Sequence, residues 1–562
     1  MTATNRVRRA QGRGAPAAVD RVRRAYARIA EVDRPEVWIT LRPQEETEAE
    51  AAGIDPSLPL AGTLFAVKGN IDVLGLPTTA GCPSYAYLPE QDAEVVARLR
   101  AAGSVVLGTT NLDQFATGLV GTRSPYGAVR NALHPSYVSG GSSSGSAVAV
   151  ALGIVDFALG TDTAGSGRVP AAFNGIVGLK PTYGLVPTDG VVPACRSLDC
   201  VTVFARSLPE ARRAFAVMAA SPVTAAPAAP GTAAAGVVPS RRPGPWRVAV
   251  PDVDALGELD PGWAAAFERA AHSLRGVHLL SIDPDPFLRA AELLYQGAFV
   301  AERHRAVGEF VTKGGPDLDP TVAGIITAAG ALPAHRLFAD QETLADLRAQ
   351  AMANLGDADA VLLPTTPGHP TLAEVAAEPL AANSRLGRFT NSTNLFGLSA
   401  LAVPAGTVGR LPFGVMLLGR PYADDHLAAI AETLRPPLRL AVAGAHLSGQ
   451  PLNHQLTERG ADLVVTTTTA AAYRLYALPT APPKPGLVRV AEDGAPIEVE
   501  VWELPPDGLG SLLAEVPRPL ALGQVELADG SMVTGFVCTP EGLAGAADIT
   551  AHGGWRAYLA AD

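Results

Sequence analysis

The chain has 562 residues, a formal net charge of −11 and 48% hydrophobic residues. Such a length exceeds one ordinary hydrophobic core, so we expect at least two domains. The acidic balance argues against a broad nucleic-acid-binding surface, and no apolar run approaches the roughly 18 residues of a membrane helix.

The cysteines and the amino terminus indicate a compartment. The four cysteines are scattered without a C-x-x-C pair, which is typical of reduced thiols in a cytosolic protein. For Cys195 and Cys200, five residues apart, a disulfide or a metal pair is the alternative to two buried free thiols. No apolar signal core follows the basic amino terminus. We therefore predict a cytoplasmic protein.

Helices and strands alternate through the first three quarters of the chain. Residues 1–18 are basic and small, and we expect a disordered lead there. Apolar spacing and β-branched runs then predict, in chain order, helices over 19–32 and 45–52, a strand ending at Lys68, helix 92–102, strands 104–108 and 246–250, helices 261–274 and 286–310, strands 361–364 and 401–404, and helix 425–434. This alternation indicates an α/β fold with a mixed central sheet covered by helices.

Two further stretches divide the chain. Residues 219–245 are rich in Ala, Pro, Gly and Val, which predicts a mobile loop inside the first domain. After residue 438 short β-rich runs joined by Gly and Pro turns occur at 463–467, 488–490, 497–504 and 533–538. We therefore predict a first domain over 19–438 and a smaller α+β domain over 439–562.

Residues 139–170 hold two Gly/Ser clusters around an apolar segment. Ser142 follows a Gly-Gly pair, and Ser166 follows Gly165. A flexible linker is the ordinary interpretation of such composition, but the apolar segment between the clusters would be buried and would fix both of them. Small neighbours let a substrate approach a serine hydroxyl closely.

A serine nucleophile needs a base. The stretch contains no histidine, although a distant one such as His134 or His272 stays open as the base. The other basic group is Lys68, whose burial would depress the pKa of its amine; a lysine that snorkels to water is the commoner outcome. Accessible backbone N–H groups could form an oxyanion hole. Those candidates are Thr163, Ala164, Gly165 and Ser166.

Three motifs together resemble the amidase signature family of Ser-Ser-Lys hydrolases. They are GTLFAVKGNIDV, SGGSSSGSA and GTDTAGSGRVPA, and the resemblance covers roughly residues 20–435. It implies the amidase-signature fold, with Ser166 as nucleophile, Ser142 as the bridging serine on a cis peptide, and Lys68 as the base. Asp162 and Arg168 flank the nucleophile, and we expect them to brace its loop. One departure is Ser144-Gly145, where the family often has Gly-Gly.

Within that family the chain resembles the allophanate hydrolases. NLDQFATGLVGTRSPYG, LLYQGAFVAERHRAVGEF and PACRSLDC carry the likeness. A tyrosine and an arginine eight residues apart bind the small anionic substrate there, which implies these roles for Tyr295 and Arg303. Simple packing and a solvated helix face are the alternatives. We also expect the backbone at Gly118 and Gly121 to line this pocket.

The segment GAHLSGQPLNHQL opens a second domain that resembles the allophanate hydrolase carboxy-terminal domain, which is distantly like the γ-glutamyl cyclotransferase fold. The resemblance implies that the first domain releases ammonia from allophanate. The second would then decarboxylate the N-carboxycarbamate product, as part of urea degradation. His446 and His454, with His552 as a third, are candidate proton donors; an ordinary surface or core histidine is the alternative for each.

Other functions and partners follow from the same comparison. A broad-specificity amidase, or the amidase-like subunit of a tRNA-dependent amidotransferase, are the alternatives; the acidic charge and the second domain argue against the latter. The family implies no cofactor, a homodimer and a functional link to urea carboxylase. We expect neither a nucleic-acid nor a membrane partner, and no metal, because no ligand spacing is present. The GGSSSGS run lacks the lysine of a P-loop.

Overall fold

The structure is a computed structural model that describes residues 3–219, 243–480 and 483–561, with side chains from residue 17 onward. Two compact units divide it, Met1–Leu434 and Arg435–Asp562. The loop predicted over 219–245 lies almost wholly outside the described residues. Within them, no single helix is long and apolar enough to cross a membrane, and one pair of helices bent by 96° is so only when its two members are taken together.

The first unit is built on an 11-stranded sheet. Its strands are β1 (Trp38–Leu41), β2 (Leu64–Lys68), β3 (Val105–Thr110), β4 (Phe157–Asp162), β5 (Val177–Lys180), β6 (Cys200–Ala205), β7 (Trp246–Val250), β8 (Val277–Ser281), β9 (Ala360–Pro364), β10 (Ser399–Val408) and β11 (Leu411–Gly419). They lie in the order β1-β3-β2-β4-β6-β5-β10-β11-β9-β7-β8. Parallel and antiparallel pairs both occur, so the predicted mixed sheet is confirmed.

The helices that surround this sheet are α1 (Ala3–Val32), α2 (Gln44–Ala52), α3 (Glu94–Ala101), α4 (Ser144–Ala151), α5 (Val169–Phe173), α6 (Leu208–Met218), α7 (Trp263–His272), α8 (Asp285–Gln296), α9 (Ala301–Lys313), α10 (Pro320–Ala329), α11 (Ala334–Leu355), α12 (Leu372–Ala377), α13 (Pro379–Leu386), α14 (Asn391–Leu395) and α15 (Asp424–Ala431). Helix α1 starts at Ala3, so the prediction of a disordered lead over 1–18 is wrong. The alanines and arginines of that segment are good helix formers.

Three parallel strands at the centre of the sheet position the site. Strand β2 pairs in parallel with both β3 and β4, and all three are buried along their whole length. The carboxyl ends of parallel strands meet at one edge of a sheet, where active sites of α/β folds form. Lys68, the loop after Thr110 and the loop after Asp162 therefore converge at this edge.

One predicted helix is two helices in the structure. We predicted a single helix over 286–310, but α8 ends at Gln296 and α9 begins at Ala301. Gly297 between them is extended, with φ −88° and ψ −176°, and a Cβ at this position would lie 2.4 Å from the Leu293 carbonyl oxygen. On a continuous helix, residues eight apart are separated by about 12 Å along the axis. The break changes that geometry for Tyr295 and Arg303.

The second unit has a 5-stranded and a 3-stranded sheet. Its elements are β12 (Leu438–Val442), α16 (His454–Thr457), β13 (Asp462–Thr468), β14 (Tyr473–Leu478), β15 (Lys484–Arg489), β16 (Glu498–Leu504), α17 (Pro506–Leu513), β17 (Leu520–Glu526), β18 (Met532–Cys538), β19 (Ala547–Asp548) and α18 (Trp555–Ala561). Tyr473 and Trp555 are the largest fully buried side chains in its core. The unit is thus a separate α+β domain.

Candidate active site

Lys68 lies inside the protein at the end of β2. Its side chain is 0% exposed, so the snorkelling alternative is wrong. Its Nζ is 2.7 Å from Ser142 Oγ and 2.7 Å from Thr161 Oγ1. Burial lowers the pKa of Lys68 to about 7, against the opposing charges of nearby aspartates. A large fraction of Lys68 is therefore a neutral amine near pH 7, which can accept a proton.

Ser142 is held between two segments of the site. The Gly141–Ser142 peptide bond is cis, as the family resemblance implies. The Ser142 carbonyl oxygen accepts a hydrogen bond from the Asp113 N–H at 3.1 Å, and the next residue, Ser143, donates its hydroxyl to the Thr161 carbonyl oxygen at 3.1 Å. The first Gly/Ser cluster is therefore fixed to the end of β4, and the linker interpretation is wrong.

Ser166 stands on a tight loop after β4. The Asp162 carboxylate accepts the N–H groups of Gly165 and Gly167 at 2.9 and 3.0 Å, and it forms a fully buried ion pair with Arg168 at 3.0 Å. Gly165 has φ +131°, and a Cβ there would lie 2.4 Å from Thr390 Oγ1. This loop is braced as the sequence suggests, and Ser166 itself is 2% exposed.

The contacts of the two serines differ. Ser142 Oγ hydrogen-bonds to Lys68, whereas no hydrogen bond joins Ser142 to Ser166 anywhere in the described chain. The two hydroxyls nevertheless belong to one site, because Thr161, five residues before Ser166, is also hydrogen-bonded to Lys68. The base and the bridging serine are in contact, and the contact with the nucleophile is the step left for the reaction.

The predicted oxyanion donors are reduced by one. The Gly165 N–H already donates to Asp162, so its inclusion among these donors is wrong. In the described residues the N–H groups of Thr163, Ala164 and Ser166 donate to no protein atom. The Thr163 hydroxyl donates to Asp199 at 2.5 Å, which fixes this strand of the loop. Three N–H groups are therefore available to an oxyanion beside Ser166.

Asp199 is a buried carboxylate that the sequence did not single out. Besides Thr163, it accepts the N–H groups of Ala194 and Cys195 at 2.9 and 3.2 Å. Burial raises the pKa of Asp199, although these hydrogen bonds oppose the shift. The four cysteines, Cys195 and Cys200 included, are free and buried. The place of Asp199 in PACRSLDC, between both cysteines, was the available signal.

Arg303 and Tyr295 are brought together across the helix break. Arg303 Nη2 donates to the Tyr295 hydroxyl at 3.2 Å, and Arg303 is only 2% exposed, which excludes a solvated helix face. Tyr295 packs against the buried cluster that contains Ala164, two residues before Ser166. Among the described residues no carboxylate lies within salt-bridge distance of Arg303. A buried cation without a carboxylate partner favours an anionic ligand.

Gly118 and Gly121 lie in the loop between β3 and α4, where close packing requires them. A Cβ at Gly118 would lie 2.5 Å from Asp113 Oδ2, and a Cβ at Gly121, where φ is +77°, would lie 2.5 Å from Ser139 Oγ. The Asp113 carboxylate accepts the Gly121 N–H at 3.0 Å. These glycines shape the loop against the serine cluster; a direct contact with substrate stays a prediction.

The second unit contains a cavity of about 160 Å³ that His446 and Lys484 line together. His446 Nε2 lies 2.9 Å from Gln455 Oε1, and its ring stacks on Phe536 with centroids 5.2 Å apart. Burial lowers the pKa of His446, although Gln455 opposes the shift. His454 and His552 are exposed, and neither lines this cavity. Of the three histidines, only His446 is positioned inside a pocket.

No cluster of three metal-ligating side chains was found in the described parts of the chain. The chemistry available to the site is therefore that of its own groups. A partly neutral lysine, two serine hydroxyls, three free N–H donors and a buried guanidinium are suited to acyl transfer from a small anionic amide.

Comparison with known proteins gives the same division. The amidase family matches residues 20–428, and the family described as the allophanate hydrolase C-terminal domain matches residues 438–560. The urea amidolyase of Lachancea kluyveri is 43% identical over 551 residues, which are 89% of this chain and 30% of that protein. The chain thus spans about a third of this relative.

Two further proteins are similar over most of their length. The solved structure of selenomethionine-substituted Kluyveromyces lactis allophanate hydrolase is 39% identical, covers 97% of each chain and superposes with a TM-score of 0.67. A glutamyl-tRNA(Gln) amidotransferase subunit of Thermus thermophilus is 36% identical over 469 residues, which are 77% of this chain and 96% of that protein.

Proposed function

This chain belongs to the amidase family, and from that premise we propose that it hydrolyses allophanate, in urea degradation. The observation that carries the proposal is Arg303, a buried cation that contacts Tyr295 and has no carboxylate partner in the described chain. Allophanate has an amide at one end and a carboxylate at the other. Its carboxylate would pair with Arg303 while its amide carbonyl meets Ser166.

The acylation step follows from the contacts of Lys68. The neutral amine of Lys68 takes a proton from Ser142 as Ser142 takes one from Ser166. Ser166 Oγ then bonds to the amide carbonyl carbon, whose oxygen becomes negative. The N–H groups of Thr163, Ala164 and Ser166 stabilise this oxyanion.

Collapse of the intermediate completes the first reaction. The C–N bond breaks, and ammonia leaves with the proton that returns through Ser142. Water next attacks the acyl-enzyme, activated through the same two groups in reverse. The product is N-carboxycarbamate, and Ser166 regains its proton. Besides allophanate and water, no other reactant is required.

We propose that the C-terminal domain decarboxylates this product in the cavity lined by His446 and Lys484. The Lys484 ammonium can pair with a carboxylate, and His446 can supply a proton as a C–N bond breaks and carbon dioxide leaves. His454 is exposed and has no such place in the cavity. The cavity is large enough for so small a dianion.

The test of the proposed function is product analysis with allophanate and the full chain. We expect ammonia and carbon dioxide to form without any added cofactor. Turnover of simple neutral amides with no ammonia from allophanate would overturn the proposal and would support a broad-specificity amidase instead.

Replacing Arg303 is expected to separate charged from neutral substrates. The Arg303→Met variant should lose roughly 100-fold in kcat/KM for allophanate, because a charge-assisted pair with the carboxylate is lost. Turnover of propanamide, which has no carboxylate, should stay within about threefold of wild type. Arg305→Ala, at an exposed position on the same helix, is the matched control and should leave both reactions unchanged. Equal losses for both substrates would contradict the role.

A variant of His446 is expected to uncouple the two products. His446→Ala should release the first ammonia from allophanate at the wild-type rate, while carbon dioxide release lags roughly tenfold or more behind it. The measurement is a parallel time course of ammonia and carbon dioxide. His454→Ala, outside the cavity, should show no lag. Equal carbon dioxide curves for wild type and His446→Ala would remove His446 from the mechanism.

We further propose a cytoplasmic homodimer that acts after a urea carboxylase, which would supply allophanate. The urea amidolyase relative, of which this chain is about a third, supports that link. Membership of a tRNA-dependent amidotransferase complex is less well supported, because the Thermus thermophilus protein matches 77% of this chain and the allophanate hydrolase structure matches 97% of it.

A further inference from the structure

Thr117, in the loop that follows β3, touches the guanidinium that we assign to the substrate carboxylate. We propose that Thr117 is a positioning residue: its hydroxyl fixes Arg303 so that the free edge of the guanidinium faces the substrate, which sets the preference for carboxylate-bearing amides. This inference rests on the proposed function of Arg303.

The N–H groups of Arg303 divide into held and free ones. Nη1 donates to Thr117 Oγ1 at 2.9 Å and to the Ala116 carbonyl oxygen at 3.1 Å. One Nη2–H donates to the Tyr295 hydroxyl. A guanidinium has five N–H groups, so Nε and the second Nη2–H remain, and these two donate to no atom of the described residues. A carboxylate accepts two such donors.

The orientation of the Thr117 hydroxyl is determined by its own contacts. Thr117 is fully buried, and its Oγ1–H donates to the Phe115 carbonyl oxygen at 3.2 Å. A hydroxyl has one hydrogen and two lone pairs. With the hydrogen used, the lone pairs are left for Nη1 of Arg303, so Thr117 acts as an acceptor toward the guanidinium.

The backbone around Thr117 is built to hold this acceptor still. Phe115 and Ala116 both have left-handed φ values, 52° and 54°, a conformation that costs about 1–2 kcal/mol for each ordinary residue. The turn aims the Ala116 carbonyl oxygen at Arg303. Arg123 Nη1 donates to the Thr117 carbonyl oxygen at 3.0 Å, and the Asp113 carboxylate accepts the Arg123 N–H at 3.0 Å.

Without the hydroxyl, Nη1 would keep only the Ala116 carbonyl oxygen. The guanidinium could then rotate about its long side chain toward other acceptors, and the two free N–H groups would no longer be preset for a carboxylate. Loss of preset geometry weakens substrate binding rather than the chemical step. The effect should therefore appear in KM for substrates that carry the charge, and nowhere else.

The test compares Thr117→Val, which keeps the shape and removes the hydroxyl, with Thr117→Ser, which keeps the hydroxyl. Substrates are allophanate, malonamate (its methylene analogue) and propanamide, which lacks the carboxylate. For Thr117→Val we expect KM for both charged substrates to rise roughly tenfold, with kcat within about threefold. Propanamide turnover should not change, and Thr117→Ser should stay within about twofold of wild type.

Each other outcome has a definite meaning. No turnover of allophanate by the wild-type chain would overturn the proposed function itself. With wild-type turnover present, an unchanged KM in Thr117→Val would overturn only the role of Thr117. A parallel loss for propanamide, or Thr117→Ser as impaired as Thr117→Val, would show a packing role and would overturn the positioning inference as well.

Discussion

Replacing Ser166 with alanine is expected to abolish ammonia release from allophanate, by a factor of roughly 10⁴ or more. Without Oγ no acyl-enzyme can form, and Lys68 and Ser142 have no nucleophile to activate. The loop itself should persist, because Asp162 and Arg168 hold it through backbone and side-chain contacts that do not involve the Ser166 hydroxyl. The measurement is ammonia release, with thermal unfolding as the check on folding.

Ser144→Ala is the matched control for this variant. Ser144 belongs to the same Gly/Ser stretch, is equally buried and makes only a 3.4 Å hydrogen bond to the Asn111 carbonyl oxygen. It should keep activity within about fivefold, since a bond of that length stabilises little. A Ser166→Ala variant that keeps wild-type turnover would disprove the nucleophile assignment; equal inactivity of both variants would trace the loss to the stretch as a whole.

The chemistry of the site could be predicted from the sequence where a short motif fixes the backbone. Ser142 and Ser166 stand among residues too small to leave much choice of conformation, and the apolar run that ends in Lys68 indicates burial of its amine. The sequence does not reveal that β2 and β4 are parallel neighbours. That pairing places Thr161, 93 residues away, 2.7 Å from the lysine.

The pair of Tyr295 and Arg303 shows the limit of helical periodicity. Apolar spacing predicts one helix over 286–310, and it does so because α8 and α9 are each amphipathic. Gly297 breaks the helix because a Cβ there would meet the Leu293 carbonyl oxygen, a contact that exists only once the chain is folded. Likewise, the Gly165 N–H was expected to be free, but the Asp162 carboxylate of the same loop uses it.

The second domain was less predictable than the first. Strands β13, β15, β16 and β18 follow runs of β-branched residues that the sequence shows, whereas β12, β14 and β17 went unpredicted. Strand β14 contains Tyr473 and Leu475, both fully buried, in a segment equally suited to a helix face. Its strand character comes from pairing with β15 and β19, which local propensity does not encode.

Replacing Lys68 with methionine is expected to lower kcat/KM for allophanate by about 10²–10⁴-fold, the usual contribution of a positioned general base. Methionine is nearly the same size and apolar, and it removes the only basic group in contact with Ser142 in the described chain. The side chain is fully buried, so the variant should fold at least as stably as wild type. Lys68→Arg keeps the positive charge but cannot release it, and we expect it to be as inactive.

The pH profile distinguishes a base from a charge at this position. Burial lowers the pKa of Lys68 to about 7, so below that pH the amine is protonated and cannot accept the Ser142 proton. Wild-type kcat/KM should therefore fall about tenfold per pH unit below pH 7 and level off above pH 8. The residual activity of Lys68→Met should lack this limb. A limb that persists in the variant would assign the titration to another group, and a flat wild-type profile from pH 6 to 9 would exclude Lys68 as the base.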